Sequence, residues 1–106
     1  MSETVALIMK RKMLAQSLMR LTREEKDIQM CFQPDYADAD VVIRGCGAGC
    51  ALIEVAESGE YDVAYCLALC ARLKRETPAC KLLLLCPEND EECIAEVVAA
   101  KRAGKI

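Results

Sequence analysis

The chain has 106 residues, 54% of them hydrophobic and 29% charged, with a mean hydropathy of +0.13. That size and balance describe one ordinary domain, which buries about two-thirds of the surface its unfolded chain exposes, and they exclude a disordered chain. A net charge of −3 and a pI near 5.0 exclude a general nucleic-acid surface, and the one basic cluster, Lys10-Arg11-Lys12, is too short to change that.

The N-terminal MSETVALIMKRK places its charges after the apolar stretch, the reverse of a secretory signal, and no apolar run has membrane-span length. A cytoplasmic protein without membrane contact is therefore expected. Residues 5–9 (VALIM) form a continuous apolar run of strand length. Leu14, Leu18 and Leu21 then recur at helical spacing. Residues 28–32 (IQMCF) alternate as a second strand does when one face is less buried. PDYADADVVIRGCGAGC implies a turn and a short helix broken by Gly45, Gly47 and Gly49. Residues 51–56 predict a third strand. Residues 61–76 predict a helix with Tyr65, Leu69 and Leu73 one turn apart and basic residues in its last turn. A fourth strand, KLLLLC at 81–86, ends at Pro87. Asn89 and Glu92 have capping-box spacing ahead of a helix over 90–102 that carries Ile94, Val97 and Val98.

This β-α-β-α-β-α-β-α order predicts a single α/β domain over 1–106, a three-layer αβα sandwich on a parallel sheet. Eight cysteines (31, 46, 50, 66, 70, 80, 86 and 93) lie mostly within apolar patterning, as reduced buried thiols do. No CxxC pair and no histidine is present, so no metal site and no cofactor is expected. The GCGAGC at 45–50 precedes a strand, where a dinucleotide or phosphate loop would join a strand to a helix. Lys10-Arg11-Lys12 is either a solvated helix start or a phosphate-binding cluster at the first helix's free N–H groups.

The order and texture, VALIM with LAQSLMRL, ALIEVAESG, and CKLLLLCPENDEECIAEVVAAKRAG, resemble the receiver domain of two-component response regulators. The resemblance implies a flavodoxin-like sheet in the order 2-1-3-4, with the family's fifth strand missing, and a site at the carboxyl ends of strands 1 and 3. The acidic pair that holds Mg²⁺ in the family falls on Met9 and Lys10, or one residue on at Lys10 and Arg11. The phosphoacceptor falls on Glu54 and the strand-4 switch hydroxyl on Cys86. All of these depart from the family pattern. A thioether beside an ammonium poorly serves a hard cation, so phosphotransfer is expected to be lost and Glu54 to be a pseudo-phosphoacceptor.

Glu54 then has three readings: a mimic of the phosphorylated state, a permanent partner of Lys10 in place of the metal, or a strand-end residue without a role. The chain is expected to act by protein contact in signalling or transcription regulation, not as an enzyme. The alternative is a flavodoxin-like small-ligand, thiol-redox or metal-binding module. Four consecutive leucines also predict a fourth strand covered on both faces, although the order 2-1-3-4 makes it an edge. The unit is therefore expected to be incomplete at its C-terminus or to associate through strand 4 and the last helix. The expected interface residues are Leu82, Leu84, Ile94, Val97 and Val98.

Overall fold

A computed structural model describes residues 3–87 and 90–104. Four parallel strands form one sheet in the order β2-β1-β3-β4: β1 (Glu3–Ile8), β2 (Ile28–Gln33), β3 (Cys50–Glu54) and β4 (Lys81–Leu85). Each is followed by a helix: α1 (Lys12–Leu21), α2 (Ala39–Cys46) after a 3-10 turn at Tyr36–Asp38, α3 (Val63–Glu76) and α4 (Glu91–Arg102). The α/β class, the parallel pairing and the 2-1-3-4 order are those the sequence predicts.

The register explains the apolar runs. In the central strand β1, Ala6, Leu7 and Ile8 are fully buried, because helices cover both of its faces. Ala6 and Ile8 join Ala51 and Ile53 of β3 in the larger core, which α2, α3 and α4 cover through Ile43, Leu69, Leu73 and Cys93. Leu7 and Met9 join Ala15 of α1 in a smaller core on the opposite face, with Phe32 and Leu52 beside it. Among the described residues, three helices therefore pack on one face and only α1 on the other.

Helix ends follow local chemistry. Asp62 accepts the Tyr65 N–H at 3.0 Å at the start of α3, and Asp90 accepts the Cys93 N–H at 3.0 Å at the start of α4. The expected cap at Asn89 lies outside the described residues. Gly45 sits within α2, which ends at Gly47 in the left-handed region (φ 65°), a conformation other side chains resist.

The fourth strand corrects one expectation. Leu82 and Leu84 pack against the larger core, but Leu83 is 54% and Leu85 37% exposed. The four leucines alternate between faces, and the α1 side of β4 is left open because α1 packs over β1 and its neighbours. Among the described residues, β4 is covered on one face only.

Candidate functional site

Glu54 is the last residue of β3, and the sheet's carboxyl ends turn its side chain toward the start of α1. It shares a face with Leu52, and it pairs in register with Leu85. Only 5% of the residue is exposed. Burying an ionised carboxylate that deeply requires a partner, and Arg11 supplies it. The Arg11 Nε–H donates to Glu54 Oε2 in an ion pair, and the Arg11 backbone N–H lies 3.4 Å from Oε1. Arg11 is the N-cap residue of α1, its own side chain makes no capping bond, and the first turn of α1 holds no acidic residue. Glu54 therefore supplies from β3 the negative charge that a helix N-terminus favours.

The ion pair falls to Arg11 and not to Lys10, the partner that one of the three readings named. Lys10 occupies the bend between β1 and α1, and its ammonium sits over the Tyr61 ring, 5.3 Å from the centroid. Arg11, one residue on, has both its backbone N–H and its guanidinium beside the carboxylate. Met9 is fully buried in the α1-side core. Cys86 follows the end of β4, half-buried, in the crevice wall. The crevice encloses about 670 Å³, and Lys10, Arg11, Glu54, Ala56, Leu85 and Cys86 are among its lining residues.

Beneath it lies a group that the sequence reading missed. Tyr36 stacks on Tyr61 with centroids 3.9 Å apart and an interplanar angle of 7°, and Tyr65 packs edge-on to Tyr36. The Tyr36 hydroxyl donates to the backbone carbonyl of Glu54 at 2.6 Å. Burial pushes the Tyr36 phenol well above its ordinary value, so it remains a donor. The tyrosines fix the strand end from below while Arg11 holds the side chain from above. The chain's only three tyrosines were the available signal, but their meeting depends on the turn before α2 reaching the α3 N-terminus.

The donor set does not fit the Mg²⁺ that the resemblance implies. The three residues after β1 offer a buried thioether and two cations, and Arg11 engages the Glu54 carboxylate. Among the described residues, no group of three histidine, cysteine or acidic side chains could hold a metal ion. No helix among them is long and apolar enough to cross a membrane.

Comparisons with known proteins agree on the fold. No protein-family model matches the chain, and no curated protein does. Solved structures do. A response regulator from Thermotoga maritima is 19% identical with a TM-score of 0.73, over 94% of this chain and 79% of that one. The isolated REC domain of RcsB from Salmonella enterica serovar Typhimurium, solved in the presence of phosphomimetic BeF3⁻, is 11% identical with a TM-score of 0.72. That match covers 95% of this chain and 73% of the other. A LuxR-family DNA-binding response regulator from Staphylococcus aureus is 13% identical with a TM-score of 0.70, over 92% and 78%. The chain thus has the flavodoxin-like, CheY-like fold of receiver domains.

Proposed function

We propose that the chain is a receiver-like signalling module that works without phosphorylation, through contact with proteins. The fold supports the signalling class, since the solved structures it resembles include response regulators. One observation carries the rest: at the position where the resemblance places the phosphoacceptor, a buried glutamate is held by an arginine. A guanidinium in permanent contact with Glu54 takes over the charge neutralisation that a metal would supply, and it holds the β3 end and the start of α1 in one arrangement. With its carboxylate engaged by Arg11, Glu54 is not free to accept a phosphoryl group or to ligate a neutralising cation.

The contact surface assigned to this module is the β4 edge with Leu83 and Leu85, together with Ile94 and Val98 of α4, all exposed. Leu82, Leu84 and Val97, named from sequence for the same role, pack inward against the larger core and support that surface from within. The module is a binding partner and not an enzyme. Incubating the purified chain with acetyl phosphate and Mg²⁺, followed by intact-mass measurement, tests the reading. No mass gain is expected. A gain of one phosphoryl group that disappears in Glu54→Gln would overturn it. Stoichiometric flavin in the purified protein would instead favour a small-ligand module using Lys10 and Arg11 in the crevice.

A further inference from the structure

The side chains that cross the α1 side of the sheet mark where its cover stops. Leu7, Leu52 and Leu83 are register neighbours on β1, β3 and β4. Leu7 is fully buried, Leu52 half-buried and Leu83 54% exposed. The adjacent row on the opposite side keeps its cover: Ala6 and Ala51 are both fully buried, and Leu82 packs on the larger core. The difference lies in α1. Its core partners come from β1 and from one strand on either side, so it is centred on β1 and stops short of β4.

The uncovered strip has the width of a helix. Neighbouring strands lie about 4.8 Å apart, which puts β4 about 10 Å from β1, and packed helices run roughly 8–10 Å apart. A helix laid over β4 therefore touches α1 without displacing it. Both walls of this groove are apolar. Leu52, Leu83 and Leu85 form the sheet wall. On the helix wall, Leu14 lines the crevice together with Leu85, and Leu21, two turns on along the same face, is 79% exposed.

Charge selects the occupant. Helix α1 and strand β4 hold no aspartate or glutamate, only Lys12 and Arg20 on the one and Lys81 on the other, in a chain of net charge −3. These three cations are exposed and form no ion pair among the described residues. A second copy docking its own α1 here about a two-fold axis would set like charges against one another. We propose that the groove between α1 and β4 takes an amphipathic helix of another protein, its apolar residues inward at i, i+3 and i+7 and acidic residues along its flanks. This rests on the reading that the module works through protein contact, and it gives Leu83 and Leu85 an acidic, helical partner.

The full chain, with its leucine methyl groups isotopically labelled, tests the groove by nuclear magnetic resonance. The probe is a side-chain-bridged helical peptide of about 12 residues, enough to run beside α1, with leucines on one face and glutamates on the other. Methyl shifts should be confined to Leu14, Leu21, Leu52, Leu83 and Leu85. Leu83→Glu should weaken binding by about tenfold or more. Lys12→Glu with Lys81→Glu should abolish the preference for this peptide over the same peptide carrying lysines. Val41→Glu, at a similarly exposed apolar position on α2, should leave binding unchanged, and circular dichroism checks that each variant is folded. No shift at millimolar peptide, equal binding of the lysine peptide, or shifts centred on Ile94 and Val98 would overturn the assignment. Cosedimentation with phosphatidylserine vesicles that is lost in Leu83→Glu would assign the groove to a membrane instead, and concentration-dependent shifts at Leu14 and Leu21 without peptide would assign it to a second copy. Phosphorylation of Glu54 is read separately by mass, so failure of the phosphorylation-independent reading is distinguished from failure of the groove.

Discussion

At the scale of single residues, the Arg11–Glu54 pair is asymmetric: the arginine side chain is 69% exposed and the glutamate 7%. Removing the arginine strands a buried carboxylate. Because water still reaches the position Arg11 leaves, Arg11→Met is expected to cost about 1 kcal/mol, below the roughly 3–5 kcal/mol for breaking a fully buried pair. The double change Arg11→Met with Glu54→Leu should recover most of that loss, since an apolar pair often replaces a charged one. Urea unfolding of the two single variants and the double decides the matter, and additive losses would show that the pair is not coupled. The thiols give a second prediction. Burial pushes Cys66 up to about 12 and Cys70 and Cys80 up to about 11, from an ordinary value of 9.0. The folded state therefore keeps protons that the unfolded state releases above pH 9, and stability must fall as pH rises from there towards 12. Urea midpoints should stay level up to about pH 9 and then decline; a flat profile through pH 11 would contradict this burial. The sequence placed Glu54 at the strand end and the thiols among apolar neighbours. Its ion-pair reading named Lys10, where the structure pairs the adjacent and equally charged Arg11. That choice depends on where the β1–α1 bend puts each side chain.

At the scale of elements, β4 shows how composition and geometry part company. Four leucines carry the composition of a doubly covered strand, yet the pleat sends alternate residues to faces with different cover. Leu84 touches the core and Leu83 does not, so Leu84→Ala should cost roughly 1–2 kcal/mol while Leu83→Thr stays within about 0.5 kcal/mol of neutral. Equal effects from the two substitutions would show that the outer face is covered after all. Helix α2 offers a parallel case. Glycines at 45, 47 and 49 mark a break, but only Gly47 takes a positive φ, at the C-cap, while Gly45 remains helical. Gly47→Ala should cost about 1 kcal/mol for that backbone conformation. Strand and helix order was legible because period and punctuation are local signals. The burial of each β4 face was not, since it depends on how far α1 extends across the sheet.

At the scale of the whole molecule, the open β4 edge carries a self-complementary pattern. Within the described sheet β4 pairs only with β3, and Lys81 is the one charge along its length. An unpaired apolar edge invites a further strand. Two copies related by a two-fold axis would pair β4 with β4 in antiparallel fashion, extending the sheet and bringing the two α4 helices side by side, also antiparallel. Helix α4 is acidic at its start, at Glu91 and Glu92, and basic at its end, at Lys101 and Arg102. Antiparallel α4 helices would therefore set the acidic end of one against the basic end of the other, with exposed Ile94 and Val98 between them. A parallel arrangement would oppose like charges. Sedimentation velocity over a wide concentration range should accordingly show a monomer–dimer equilibrium that weakens as salt rises, because exposed charge pairs are screened. Ile94→Glu with Val98→Glu should shift it to monomer while leaving the circular dichroism spectrum unchanged, since both side chains are exposed. Amide exchange at residues 82–85 should slow as concentration rises. A chain that stays monomeric throughout, with those amides already slow at the lowest concentration, would mean that the edge is protected within one copy.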